Sequence, residues 1–390
     1  MRSLWVLVIL AIVLVLGWNS GFSLLFRVSL LLAIGLVLSR LWVWWNLRGL
    51  KGNIETSTTR VQAGERLEVR IELENPSLLF KPWLLLKLKS DLPQVPPTKM
   101  LALPYRSART FSFSVPCPRR GWFHLGPAVL SSQDPFGLFQ REITLGTQQE
   151  LLVYPKTVGL APSLLEAPTP GLESLSLGRV GETPLVRGVR EYLPGDSFSR
   201  IHWPSSARMG KLMSKELEGE ASHDVWLLLD MEGRGQAGEG DESTVEYGVT
   251  VAASLCKAYI EADRSVALVT WDRYLQVVPP DTGTPQLWRI LEVLSILAGR
   301  GKVPLSKLMA QTEQHLRGST LAIITPSPEE TWSSALHTAV RWDNRVLLFP
   351  LDASTFGRRR PSLGPSLASD QIIRHPVRRG ELWRLGLAPG

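Results

Sequence analysis

DVWLLLDMEGRGQAGEGDESTVEYGVTVAASLCKAYIEADRSVALVTW, residues 224–271, holds two short hydrophobic runs with a long helical pattern between them. VWLLL and VALVTW are continuous rather than alternating, as strands covered on both faces must be. Between them Val245, Val249, Ala252, Cys256 and Tyr259 recur at spacings of three and four, the period of one helix face. Ser243 and Glu246 form a capping box at the start of that helix. LAIIT (321–325) and VLLFPL (346–351) repeat the strand signal, residues 285–298 and 305–316 read as helices, and Ser327-Pro328-x-Glu330 predicts another helix start. The alternation predicts an α/β domain over residues 221–356, an open, Rossmann-like, mostly parallel sheet with right-handed crossovers and helices on both faces. Ligands of such sheets sit at the carboxyl ends of the strands, so Asp230, Glu232, Arg234 and Asp241 form the candidate binding loop.

Upstream, the period changes to two. In RLEVRIELEN, Leu67, Val69, Ile71 and Leu73 alternate with charged residues, and Phe111, Phe113 and Val115 do the same in RTFSFSV. Further short strands are predicted at 83–88, 122–125, 128–130 and 151–154, so residues 53–156 read as a small all-β, Ig-like sandwich. Asp134-Pro135-Phe136-Gly137 is a tight turn, with Phe136 placed to plug the end of the sandwich. Residues 157–186 are rich in Pro, Gly and Ser without period and read as a linker.

Residues 1–52 contain two apolar runs, about 4–20 and 22–45, separated by the turn residues Asn19-Ser20-Gly21. This is a transmembrane α-hairpin, since about 20 apolar residues cross the hydrocarbon core. Trp42, Trp44 and Trp45 end the second run, where indoles favour the interface. Arg2 stands at one end, Arg40, Arg48 and Lys51 at the other, and the turn carries no cation. By the excess of cations on cytoplasmic flanks, both ends face the cytoplasm, giving a two-pass protein of the cell membrane with cytoplasmic soluble domains.

Of the net charge of +7, five units lie in residues 1–52, which leaves +2 for the remainder. A near-neutral soluble part is no nucleic-acid groove. Residues 357–390 form a basic Pro/Gly-rich tail whose Arg358-Arg359-Arg360 and Arg378-Arg379 suit anionic lipid. The two cysteines, Cys117 and Cys256, fit neither a metal nor a disulfide framework and read as core thiols.

The candidate loop offers three chemistries. Gly233-Arg234-Gly235-Gln236-Ala237-Gly238 fits G-x-G-x-x-G, but its last glycine does not open the helix, so a pyrophosphate would not meet a helix N-terminus; a mobile loop is the alternative. Asp230, Glu232, Glu239, Asp241 and Glu242 suit a hard cation, yet Arg234 sits among them and calcium-loop spacing is missing. The chain has no G-x-S-x-G, H-E-x-x-H or G-K-[ST]. No catalytic residue, metal or cofactor is therefore assigned.

The segment 187–220 reads RGVREYLPGDSFSRIHWPSSARMGKLMSKELEGE. Leu193-Pro194-Gly195-Asp196 is a turn, Asp196 or Ser197 caps a short helix carrying Ile201, His202 and Trp203, a second piece follows Pro204, and residues 211–218 form an edge strand. Arg187, Arg190, Arg200 and Arg208, interleaved with Glu191, Asp196 and Glu216, predict a bracing ion-pair network.

This segment resembles the signature of the bacterial family called domain of unknown function 58, through Tyr192, Pro194, Gly195, Asp196, Arg200, Ile201, Trp203, Ala207 and Arg208. Asn46-Leu47-Arg48-Gly49-Leu50, Arg120-Gly121, Leu125-Gly126-Pro127 and Asp134-Pro135-Phe136-Gly137-Leu138-Phe139 extend the resemblance over nearly the whole chain. It implies a von Willebrand factor A-like second domain and a partner of the MoxR-type AAA+ ATPase class. Related A-domains bind a metal through D-x-S-x-S, a Thr and a later Asp, whereas this chain has Asp230-Met231-Glu232-Gly233-Arg234 and, after LAIIT, Pro326-Ser327. Measured against those relatives the metal site is degenerate; the hairpin, two modules of binding type and the lack of a complete catalytic set predict a non-enzymatic membrane-anchored scaffold that recruits a protein partner. The alternative is a metal-dependent adhesion module or hydrolase using Asp230 and the acidic loop, with Asp196 and His202 as further candidates.

Overall fold

The computed structural model describes residues 12, 13, 15, 23–56, 58, 60–94, 96–161, 186–192, 201–217, 224–316, 319–341, 344–358 and 372–382. The chain divides into two compact units, Met1–Tyr154 and Pro155–Gly390.

The first unit begins with helix α1, Ser23–Leu47, whose segment Phe26–Leu47 is long and apolar enough to cross a membrane. Most of the first predicted span lies outside the described residues. Two sheets follow. One has the order β1–β3–β6, from Lys51–Thr56, Arg66–Asn75 and Ser107–Pro116. The other has the order β2–β9–β7–β4–β5, from Val61–Gln62, Gln149–Tyr154, Gly121–Gln133, Lys81–Ser90 and Lys99–Leu103, with β8 (Gln140–Leu145) paired to β7. Leu67, Val69, Ile71 and Leu73 of β3 share one core with Leu84 and Leu86 of β4 and Leu130 of β7, so the alternation in RLEVRIELEN is the inner face of a sandwich.

Two expectations need correction here. Strands predicted at 122–125 and 128–130 are one strand, β7, because each half finds its own partner: Gly121–Leu125 pairs with β9 and Ala128–Gln133 with β8. Phe136 does not plug the sandwich but is exposed, although Gly137 N–H does close the turn on the Asp134 carbonyl at 3.0 Å.

The second unit has strands β10 (Val186–Glu191), β11 (Met213–Leu217), β12 (Val225–Leu229), β13 (Gly238–Glu239), β14 (Glu242–Ser243), β15 (Val266–Trp271), β16 (Leu275–Asp281), β17 (Thr320–Thr325), β18 (Arg345–Pro350) and β19 (Ile372–Arg374), six of which form a sheet in the order β16–β15–β12–β17–β18–β19. Val225–Leu229 (β12), Val266–Trp271 (β15), Thr320–Thr325 (β17), Arg345–Pro350 (β18) and Ile372–Arg374 (β19) run parallel. The antiparallel strand is Leu275–Asp281 (β16); its two prolines cannot donate to a ladder, which suits an edge. Helices Leu305–Leu316 and Ser333–Arg341 share a core with Trp226, Leu228 and Ile323. Helix Thr244–Glu261 covers the other face, where a Cβ on Gly248 would touch Leu229 and Ile324. Helix Gly283–Ser295 packs against it.

The tail predicted from residue 357 is in part structure: β19 extends the sheet, with Val346 opposite Ile372. Three residues, IIR, are too few for a periodicity signal, and pairing along β18 supplies what the local sequence lacks. Ser243 caps its helix as expected, accepting the Glu246 N–H at 3.3 Å. Ser327 does not act as the second expected cap: its hydroxyl turns inward to Asp230, and the following helix begins only at Ser333 after a short 3-10 turn, Glu329–Thr331.

Candidate functional site

Strands β12, β15 and β17 deliver Asp230, Asp272 and Thr325 at the carboxyl end of the sheet. Asp230 is only 2% exposed. Its Oδ2 accepts hydrogen bonds from Thr325 Oγ1 and Ser327 Oγ, both at 2.7 Å, and its Oδ1 accepts the Glu232 N–H at 3.0 Å. Burial pushes the carboxyl above the ordinary range, opposed by the three donors. Ser327 is itself held, since its carbonyl accepts the buried Trp332 indole at 2.9 Å. Glu232 is also raised, by burial first and then by the charge of Asp230, while Arg234 and Arg358 pull it down.

The glycine loop above Asp230 is packed rather than mobile. Gly233 N–H donates to the Gly301 carbonyl at 2.9 Å, and Arg358 Nη1 donates to the Gly235 carbonyl at 2.8 Å. A Cβ on Gly235 would lie 2.7 Å from Ser327 Oγ, and one on Gly301 would lie 2.3 Å from the Trp271 carbonyl. These glycines are required by close approach of the loop to its neighbours, which removes the phosphate-cradle reading.

The acidic side chains are distributed among separate tasks. Asp272 accepts the Ala298 and Arg300 N–H groups at 3.1 and 2.5 Å. Glu242 pairs with Arg379 at 3.0 Å and accepts the Tyr247 hydroxyl at 3.1 Å. Asp352 pairs with Arg378 at 3.6 Å, and Glu329 with Arg374 at 3.7 Å. Asp241 is exposed. Arg378 and Arg379 thus each have a carboxylate within reach, while both side chains stay about half exposed. A hard cation wants about six oxygens in convergent array. Among the described residues no group of three or more His, Cys, Asp or Glu side chains could hold a metal, and the Asp230 carboxylate is already engaged by two hydroxyls and an amide.

The signature segment is separate from this crevice. Strands β10 (Val186–Glu191) and β11 (Met213–Leu217) form their own antiparallel pair, with helix Trp203–Met209 between them. The helix begins later than predicted and includes Pro204, whose missing N–H is harmless in a first turn. Its cap is His202, whose Nδ1 accepts the Ser205 N–H at 3.3 Å. Ile201 is buried, Tyr192 N–H donates to the Leu212 carbonyl at 2.9 Å, and Trp203, Ala207 and Arg208 are exposed. Pro194, Gly195, Asp196 and Arg200 lie outside the described residues, as do the side chains of Arg187, Arg190 and Glu216. Of the expected ion-pair network, the described part contains Lys211 with Glu191 at 3.4 Å, both exposed.

Comparison with known proteins gives four matches. The family model described as Protein of unknown function DUF58 matches residues 188–322. "Uncharacterized protein YeaD" of Bacillus subtilis (strain 168) is 24% identical over 271 residues, covering 67% of this chain and 66% of that protein, so the chain spans just under two thirds of that relative's length. Among solved structures, the CARDB domain of PF1109 from Pyrococcus furiosus is 13% identical over 27% of this chain and 93% of that chain, with a TM-score of 0.21. A beta-glucosidase from Listeria innocua is 13% identical over 25% of this chain and 16% of that chain, with a TM-score of 0.17. Likenesses that slight bear on neither fold nor function. The matched segment holds the signature residues Tyr192, Ile201, Trp203, Ala207 and Arg208 together with Asp230, and over residues 188–322 the chain is similar to the DUF58 family.

Proposed function

We propose that the chain is a non-enzymatic, membrane-anchored protein-interaction scaffold that works with a MoxR-type AAA+ ATPase. In this reading it crosses the cell membrane twice and holds both units on the cytoplasmic face, as the cations flanking the apolar runs favour. The sandwich is then immunoglobulin-like and the second unit von Willebrand factor A-like, with Asp230 standing where metal-binding A-domains carry their first ligand.

The observation that carries the reading is the exposure of large apolar side chains on the signature segment. Trp203 is 66% exposed, and Met209, Leu212 and Val189 are exposed in the same small substructure. Trp is enriched at binding hot spots and Met at protein interfaces, and nothing in the local fold requires an indole in water there. The engagement of Asp230 by Thr325 and Ser327 supports the non-enzymatic half, because a carboxylate so occupied is poorly placed to act on a substrate.

A photo-crosslinking amino acid in place of Trp203, in cells, tests partner and orientation together. Crosslinks to the ATPase are expected, and Trp203→Asp should weaken binding of the purified partners by more than about tenfold, the size of a modest hot spot. Crosslinks to extracytoplasmic proteins alone, or unchanged affinity in Trp203→Asp, would sink the reading.

A further inference from the structure

The helix α1 and the sandwich overlap along the helix axis. Ser39, Val43, Asn46 and Leu47 are buried, at the spacing of one helix face. Polar ties fix them. Ser39 Oγ donates to Asp134 Oδ2 at 2.6 Å, and Asn46 Nδ2 donates to the Pro82 carbonyl at 2.7 Å and to Ser132 Oγ at 2.6 Å. Asp134 lies below the ordinary carboxyl range: burial raises it, but bonds from the Ser39 hydroxyl and the Phe139 and Phe136 N–H groups outweigh burial. The apolar span runs to Leu47, so the sandwich covers one side of the span from Ser39 to Leu47, a rise of about 12 Å at about 1.5 Å per residue. A bilayer around that span must meet the sandwich.

What the sandwich presents at that level is apolar. The pairing of Leu84 with Ser132 brings the start of β4 and the end of β7 to one end of the sheet. The loops leaving that end expose Leu78 (69%), Leu79, Phe80 and Phe136 (74%), and the start of β4 exposes Trp83. The 76–80 loop is held by the buried Asn75, whose Nδ2 donates to the Leu79 and Pro104 carbonyls at 2.9 and 2.8 Å. Arg106 N–H donates to the Ser77 carbonyl at 3.0 Å, which brings exposed Tyr105 to the same rim. Phe, Trp and Tyr with flanking Arg, on a hydrogen-bonded turn, is the composition of a surface seated among headgroups.

We infer that this rim is a membrane-dipping collar: residues 78–83, Tyr105 and Phe136 insert into the interfacial layer of the same bilayer that α1 crosses. The occupant is lipid rather than protein because the rim is continuous with the apolar surface of the span, including exposed Leu38, Leu41, Trp42 and Trp45. With three polar ties along its last turns, the helix cannot swing away from the sandwich, so the collar sets the angle at which the first unit stands on the membrane.

The inference rests on the membrane span, and the test separates the two. Phe80→Cys, Phe136→Cys, Trp122→Cys and Leu31→Cys variants of the full chain are labelled with an environment-sensitive fluorophore. Native Cys117 and Cys256 are buried, and burial pushes the Cys256 thiol up to about 12, so neither competes for label. The variants are reconstituted into phosphatidylcholine/phosphatidylglycerol vesicles with brominated acyl chains. Labels at 31, 80 and 136 should be quenched several-fold more by lipid bromine than the label at 122, which lies at the far end of β7. Aqueous iodide should give the reverse order. Quenching at 31 with positions 80 and 136 resembling 122 would overturn the collar and leave the span standing. A label at 31 open to iodide would overturn both. Labels at 80 and 136 shielded from both quenchers would mean a protein covers the rim, which also refutes the inference.

Discussion

Asp230→Ala is expected to destabilise the second unit by about 3 to 5 kcal/mol, since each buried donor left without an acceptor costs about 1 to 3 kcal/mol. Three donors lose their acceptor at once: the Thr325 and Ser327 hydroxyls and the Glu232 N–H. The loss should appear in chemical denaturation of the solubilised chain and as faster hydrogen exchange in β12 and β17. Asp230→Asn keeps the shape and one acceptor and should cost less than Ala. Its pH dependence has a fixed sign. The folded carboxyl is raised by burial, so the folded chain holds a proton that the unfolded chain releases near about pH 3.9. The contribution of Asp230 therefore falls as pH rises through that window, and Asp230→Asn should lack this slope. A change below about 0.5 kcal/mol in Asp230→Ala, ordinary for a surface site, would refute the structural role.

Lys81→Met is expected to lower the stability of the first unit by about 2 to 3 kcal/mol, the range for losing hydrogen bonds to a charged group. Lys81 is 1% exposed, and its Nζ donates to the Trp45 carbonyl and, at 3.5 Å, to the Arg48 carbonyl. These carbonyls end α1, where the helix leaves acceptors free and favours a cation. Methionine retains the bulk and removes the donors. Burial lowers the lysine, so the folded chain releases its proton before the unfolded chain does. The sign follows: this group's contribution rises with pH until about 10.4, and Lys81→Met should show no such rise. Paired spin labels on α1 and β4 should also report a broader distance distribution in the variant. A narrow, unchanged distribution with unchanged stability would show that the joint does not depend on Lys81.

The core elements were legible because their patterns are local. Leu67, Val69, Ile71 and Leu73 announce a half-buried strand by alternation alone, and the continuous runs VWLLL and VALVTW announce strands covered on both faces. What escaped the sequence depends on long-range contact. Thr325 and Ser327 are separated from Asp230 by 95 and 97 residues, and the only local signal was a pair of hydroxyl residues flanking Pro326 at a strand end. Read for what it lacked, an aspartate, that stretch concealed what it supplied. The charge density of Arg378-Arg379 says nothing of a partner such as Glu242, which reaches Arg379 from 137 residues away. Asn46 likewise shows as a polar residue ending an apolar run, and only the fold reveals that it binds Ser132.

The carboxylate at the end of β12 is held closed by its own neighbours, and isothermal titration of the solubilised chain with magnesium and manganese asks whether that is so. No saturable heat in the micromolar range is expected, from wild type or from Asp230→Asn. A micromolar site in wild type that vanishes in Asp230→Asn would contradict it.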